Sequence, residues 1–315
     1  GEVMRYGKLK ILAGTSHGEF VDAIVEHLKT KRCEIEVIRF SNENIMVKIL
    51  ENIRGDDVYV IQTMTPPVSD NIVESLIMLD AVKHASASRI TAVLPYFPYA
   101  RSDKKDQPRI SVTARLIADL YETAGATRFL TADLHSPQIT GMVNIPIDQL
   151  LAAEIICDYF KKKDLSNHVL VAGDAGEGKE LGRYANRLDL PMAIVDKRRF
   201  GNDEKPVATN LIGEVEGKHC LLMDDEIATG GTLLEAATFL KKKGALSVSA
   251  AAVHGVLSKD AHLRLEESNL DEIVVCDTIP VAHKKTSKMT ILSMAPMFAE
   301  AIKRLHNDQS LTALF

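Results

Sequence analysis

Tryptophan is absent from the 315 residues, and aromatic residues make up only 5% of them. So few rings leave little on which successive bases could stack, which argues against a single-stranded nucleic-acid platform. No apolar run approaches the ~20 residues of a membrane span. The opening GEVMRYGKLK has no apolar signal-peptide core. Cysteine is scarce: Cys33, Cys157, Cys220 and Cys276 lie more than fifty residues apart, so no zinc or dithiol spacing exists among them. They are expected to be small buried hydrophobes in a reducing cytoplasm. An excess of positive charge is also lacking. The 38 basic residues face 43 acidic ones, a net charge of −5. That balance argues against a dedicated nucleic-acid binder, yet leaves room for a local basic site on a small phosphorylated substrate.

What is present is ordinary globular composition, with 46% hydrophobic and 26% charged residues. At a prior of ~150 residues per domain the length suggests two domains. Short apolar β-rich runs alternate with helical patterns. Strands are expected at Leu9–Ala13, Glu36–Phe40, Val58–Gln62, Ile90–Pro95 and Arg128–Ala132. A second set is expected at Val169–Ala172, Met192–Asp196, Cys220–Asp224, Val248–His254 and Glu272–Cys276. Several are near-continuous apolar runs, as in a parallel sheet covered on both faces. Helical periodicity appears in Asn71–His84, Thr113–Glu122 and Thr232–Lys243, the first with Ile72, Leu76, Leu79 and Val82 on one stripe. Alternating strand and helix predicts an α/β fold with right-handed crossovers. Asp57–Asp103 and His219–Asp260 share the order strand, loop, helix, strand, polar loop. This internal likeness supports two similar α/β domains, with a boundary near Asp148–Ala153.

The sharpest motif is LLMDDEIATGGTLLEAA, Leu221–Ala237. An apolar strand runs into Asp224 and Asp225, followed by Thr229-Gly230-Gly231-Thr232 and a helix. Glycines let the backbone approach a phosphate, and a helix start presents unpaired N–H groups to it. The carboxylates would repel a phosphate, so they make sense as holders of sugar hydroxyls or Mg²⁺. A phosphate and a diol in one ligand describe a ribose phosphate. The alternative is a plain capped helix, which leaves two acids at a buried strand end unexplained. In the first half, Gln62-Thr63-Met64-Thr65 stands in place of the acids, so that half is expected to supply something else.

Four further segments carry polar groups to strand ends. Pro95–Arg109 gathers Arg101, Lys104, Lys105 and Arg109 with Asp103 and Asp106; it reads as a solvated loop or as a polyphosphate contact. Asp133 and His135 follow the strand Arg128–Ala132 closely, a place for a Mg²⁺ or phosphate contact. Asp174-Ala175-Gly176-Glu177 forms a Gly-containing turn able to nest an anion. Ile194–Pro206 places Lys197, Arg198 and Arg199 at a strand end, as a lid over phosphates or as an exposed hairpin.

In this order the segments resemble the ribose-phosphate pyrophosphokinase (phosphoribosyl pyrophosphate synthetase) family from about Leu9 to Phe315. The likeness includes FSNEN (Phe40–Asn44), YARSDKK, the DLH segment, DAG, DKRR, DDEIATGGT, HGVLS (His254–Ser258) and DTIP (Asp277–Pro280). The resemblance implies two type I phosphoribosyltransferase-like α/β domains, each a mainly parallel sheet flanked by helices. They span 1–149 and 150–291, with the segment near 292–308 joining the first. It implies transfer of the β,γ-diphosphoryl group of ATP to the C1 hydroxyl of ribose 5-phosphate. Lys197 and Arg199 match the catalytic lid pair. Phe40, Asn42, Glu43, Asn44, Arg101, Ser102, Asp103, Lys104 and His135 match the ATP positions. Arg199, Asp224, Asp225, Ala228, Thr229, Gly230, Gly231 and Thr232 match the ribose 5-phosphate set. Asp174, Ala175, Gly176 and Glu177 match the diphosphate loop, and His135 and Asp174 the Mg²⁺ positions. The family also implies a homo-oligomer, commonly a hexamer, with no nucleic-acid or membrane partner.

This chain departs from the family pattern in places. Asn44 stands where Glu is common, Ser102 where Gln is common, and Glu177 where the diphosphate turn has Gly. Ser136-Pro137 alters the segment after His135, while Ala228 is a variation that some relatives share. Two rival readings are a phosphoribosyltransferase, which shares the 221–237 loop, and a non-catalytic regulatory homologue.

Overall fold

The computed structural model describes residues 5–198 and 207–314. The chain divides into two compact units. Unit 1 comprises Gly1–Leu151, Thr278–Pro280 and Met294–Phe315; unit 2 comprises Ala152–Asp277 and Val281–Ser293.

Unit 1 contains β1 (Leu9–Ala13), α1 (Gly18–Leu28), β2 (Ile35–Arg39), β3 (Ile45–Ile49), β4 (Asp57–Ile61) and α2 (Val68–His84). There follow β5 (Arg89–Leu94), α3 (Thr113–Ala124), β6 (Arg128–Ala132), α4 (Gln138–Met142) and β7 (Ile147–Leu150). Strands β1-β4-β5-β6-β7 form one all-parallel sheet. The internal strand β4 is buried at every position, as the apolar run VYVI requires when both faces are covered. Hairpin β2–β3 stands apart as a two-stranded antiparallel ribbon. In α2 the stripe Ile72, Leu79 and Val82 is buried as the periodicity predicts, while Leu76 is only partly covered.

Unit 2 contains α5 (Ala153–Lys161), β8 (His168–Ala172), α6 (Gly178–Leu188), β9 (Met192–Arg198), β10 (Val207–Ile212) and β11 (His219–Ile227). It continues with α7 (Gly231–Lys242), β12 (Ser247–Gly255), α8 (Ala261–Glu267), β13 (Ile273–Cys276) and β14 (Met289–Leu292). The sheet order is β10-β9-β8-β11-β12-β13-β14, with only β10 antiparallel to its neighbour. The parallel series β8-β11-β12-β13-β14 repeats the series of unit 1. The likeness of Asp57–Asp103 to His219–Asp260 is thus a likeness of β4–α2–β5 to β11–α7–β12.

The last helix, α9 (Ala295–His306), belongs to unit 1. Its Phe298 ring meets Phe20 of α1 edge-on, with centroids 5.5 Å apart. All four cysteines are free and buried. Among the described residues no helix is long and apolar enough to cross a membrane.

Candidate active site

Unit 2 has a topological switch point. From β8 the chain crosses through α6 to β9 on one side; from β11 it crosses through α7 to β12 on the other. Crevices outside the carboxyl ends of such strands are where open α/β sheets bind ligands. Here β8 stops pairing at Ala172, opposite Met223, while β11 stays paired with β12 as far as Ile227. The sequence suggests that β11 ends at Asp224. Instead Asp224 and Asp225 lie inside the strand, on the stretch that β8 has left. The continued β12 ladder holds them, so their backbone is fixed before any ligand arrives.

Three strand ends meet at this cleft. β8 leads into Asp174, whose carboxylate accepts from the Gly176 N–H at 2.8 Å and caps a 3-10 turn, Ala175–Glu177. One amide of the expected anion nest is thus engaged by the turn's own aspartate. The turn delivers Glu177 to Asp224 and Asp225, with ligand oxygens of all three within 4.8 Å of one another. Lys197, near the end of β9, acts electrostatically on Glu177. Burial pushes the Glu177 carboxyl up, and the charges of Asp174 and Asp225 add to this; Asp224 and Lys197 oppose it. Asp224 is also pushed up, by burial first, then by its bond with Asp225 and the nearby Glu177. Such crowded acids cannot all hold their charge without a compensating cation.

A divalent cation fits this cluster. The donors are all carboxylate oxygens, the type that Mg²⁺ prefers. Glu177 Oε2 is buried and has no hydrogen-bond partner. Of the expected metal pair, His135 belongs to unit 1 and Asp174 to unit 2. The sequence places Glu177 in the diphosphate turn but does not bring it to Asp224 and Asp225, because nothing local announces that a turn after β8 folds onto β11.

Beyond the acids, β11 passes into Ala228 and Thr229. Gly230 takes φ 81° and ψ −5°, and α7 starts at Gly231 with no side-chain cap. Thr229 Oγ1 accepts weakly from the Gly231 N–H at 3.4 Å. The motif therefore delivers an uncapped helix start beside the acidic strand. Arg199 and the remainder of the expected lid through residue 206 lie outside the described residues.

Unit 1 carries the other expected residues. Phe40–Asn44 is the tip of the β2–β3 hairpin. Its turn is closed by Phe40 N–H to Asn44 O at 2.9 Å and by Asn44 N–H to Asn42 Oδ1 at 3.1 Å. Glu43 sits there in the left-handed region, φ 69°. Phe40 is 47% exposed, a bare ring at a hairpin tip. Arg101, Ser102 and Lys104 follow β5, and the Ser102 carbonyl accepts from Ala114 N at the start of α3. Asp103 is turned inward, only 4% exposed, and its Oδ2 has no hydrogen-bond partner. His135 lies just beyond β6.

The position in unit 1 that answers to the acids is filled. Gln62 is 1% exposed and accepts from Ser16 N–H, while its amide donates to Glu74 Oε2 at 2.6 Å. Glu74 in turn accepts from both the Thr15 amide and hydroxyl. A Cβ on Gly14 would fall 2.2 Å from Gln62 Oε1, so the cleft that is open in unit 2 is here a closed polar core.

The fold and the cleft define a class: two type I phosphoribosyltransferase-like α/β domains, one with an acidic switch-point site and one with that site filled. The N-terminal domain model of ribose phosphate pyrophosphokinase matches residues 9–125, and the phosphoribosyl synthetase-associated domain model matches 197–315. A ribose-phosphate pyrophosphokinase of Caldanaerobacter subterraneus is 47% identical over 98% of both chains. One from Wolinella succinogenes is 44% identical over 97% of this chain and 98% of its own. The crystal structure of phosphoribosylpyrophosphate synthetase from Mycobacterium smegmatis superposes with a TM-score of 0.91 at 37% identity, covering 96% of this chain and all of that one. The chain belongs to the ribose-phosphate pyrophosphokinase family.

Proposed function

We propose that this chain is a ribose-phosphate diphosphokinase. It moves the β,γ-diphosphoryl group of ATP to the C1 hydroxyl of ribose 5-phosphate, giving 5-phosphoribosyl 1-diphosphate and AMP. The observation that carries this reading is the convergence of Asp174, Glu177, Lys197, Asp224 and Asp225 beside the glycine-rich start of α7, in a chain that matches the family over nearly its whole length.

Transfer of this kind needs alignment and charge stabilisation more than covalent help. The amides of Gly230–Thr232 hold the 5-phosphate. Asp224 and Asp225 orient the ribose 2- and 3-hydroxyls. Lys197, with Arg199, neutralises charge developing on the oxygen that leaves with AMP. Phe40, Asn42, Glu43, Asn44, Arg101, Ser102 and Lys104 receive the nucleotide, and Asp103 completes that loop from within. In unit 2 the groups that would hold Mg²⁺ are Asp174, Glu177, Asp224 and Asp225; in unit 1 the candidate is His135. When bound, the ion supplies charge neutralisation on the phosphates and acidifies the attacking hydroxyl. The working form is a homo-oligomer, expected to be a hexamer.

A coupled assay of AMP release from ATP and ribose 5-phosphate tests the reading. Release should require both substrates and stop in excess chelator. Lys197→Ala should lower kcat about 10³-fold or more while leaving ribose 5-phosphate binding intact. Retained turnover in that variant sinks the role of Lys197. Wild-type protein that binds ATP without releasing AMP favours the regulatory homologue.

A further inference from the structure

The glycine-rich loop is gripped from behind by the end of the HGVLS segment and by α8. After β12 the chain passes under the loop. Leu257 N–H donates to Ile227 O at 2.9 Å, and Ser258 N–H to Ala228 O at 3.0 Å. Leu265 of α8 packs against Gly230, and a Cβ there would sit 3.5 Å from Leu265 Cδ2. From the residue just before it on the same helix, the Arg264 guanidinium donates to the carbonyl of Thr229. That side chain is exposed.

The Thr229–Gly230 peptide lies at the turn of the loop. Gly230, at φ 81°, has the conformation that glycine takes at the third position of a type II turn. In such a turn the preceding peptide plane can flip, and its orientation decides where an amide points. A trans peptide is planar, with its C=O and N–H on opposite sides. Whatever holds the Thr229 carbonyl therefore aims the Gly230 N–H the other way. The hydrogen bond from a cationic donor also polarises that peptide and strengthens the amide on its far side as a donor.

We propose that Arg264 is a positioning residue for the sugar-phosphate loop: it holds the Thr229 carbonyl so that the Gly230 N–H faces the bound phosphate, without touching the phosphate itself. This rests on the ribose 5-phosphate reading of the loop given above. A cation placed behind the loop also leaves the front free for the carboxylates and the sugar.

The test uses the full chain and the variants Arg264→Met and Arg264→Lys. In Arg264→Met the KM for ribose 5-phosphate should rise about tenfold, the scale of one charge-assisted hydrogen bond. Its kcat, its KM for ATP and its thermal midpoint should stay unchanged. Arg264→Lys, which keeps one donor for the carbonyl, should recover most of the loss. Hydrogen exchange on the free protein gives a readout without substrate: amides of residues 228–234 should exchange faster in Arg264→Met while the strands stay protected. Unchanged exchange and an unchanged KM overturn the proposal. So does an equal rise in both KM values with faster exchange throughout, which marks a merely structural role. If the wild type neither binds ribose 5-phosphate nor releases AMP, yet Arg264→Met still loosens the loop, the sugar reading fails and the positioning of the loop stands.

Discussion

Asp57 shows what one buried charge demands. Its side chain is fully buried at the first residue of β4. Arg89 reaches it through two bonds, at 2.8 and 2.7 Å, and Tyr59 and His306 donate to or share its second oxygen at 2.9 Å each. Burial pushes the carboxyl up, but bonds from Arg89 and His306 outweigh it and hold the group below the usual carboxylate range. A lowered carboxyl contributes stability above its unfolded pKa of ~3.9, and that stability is lost as the pH falls through the lower folded value. Arg89→Met removes the guanidinium partner of this buried charge and should cost about 3 kcal/mol in urea unfolding near neutral pH. The difference from wild type should shrink in acid, where Asp57 is neutral in both proteins. A penalty that stays constant into strong acid would assign the loss to packing instead. None of this was legible locally, because Asp57, Arg89 and His306 come from three distant parts of the chain. Asp224 and Asp225 were legible, since an apolar strand that runs into paired acids and TGGT carries its chemistry in consecutive residues.

At the level of elements, the β2–β3 hairpin is the clearest case. Strand β2 was expected from sequence; β3, whose IMVKI alternates between partly buried and exposed positions, was not. An alternating five-residue strand gives a weak signal and needs a partner to be recognised. The hairpin holds Phe40 bare at its tip, with the turn closed by its own backbone bonds. If that ring stacks on the nucleotide base, Phe40→Ala should raise the KM for ATP about tenfold and leave the KM for ribose 5-phosphate alone. Thermal stability should not change, because the ring covers little of the core. An unaltered KM for ATP would remove Phe40 from the nucleotide site. Strands β7 and β14, four residues each, were missed for a similar reason: they are too short to show a period.

For the whole molecule, several large apolar side chains stay exposed on the single chain, among them Leu116 (51%) and Leu120 (40%) on one helix, α3. The proposed assembly of copies would cover surface of this kind. For a hexamer, sedimentation analysis should give a mass near six chain masses, and a strictly monomeric active enzyme would refute the proposed assembly. The absence of bulk positive charge, read at first as a clue against nucleic acid, proves compatible with a polyanion-handling reading. Lys197 stands against a group of acids that burial has made receptive to a cation.

By itself the sequence determined the alternation of strand and helix, the repeat of one α/β unit, and the order of motifs that marks the family. Each depends on residues close together in the chain, where periodicity and turn chemistry act. Only the tertiary structure decided that β11 runs on beyond Asp224 to Ile227, that Glu177 joins Asp224, and that Gln62 fills the answering place in unit 1. It alone placed Arg264 behind the Gly-Gly loop. Those outcomes depend on which strands pair and where a ladder stops, and pairing between distant segments leaves no local trace.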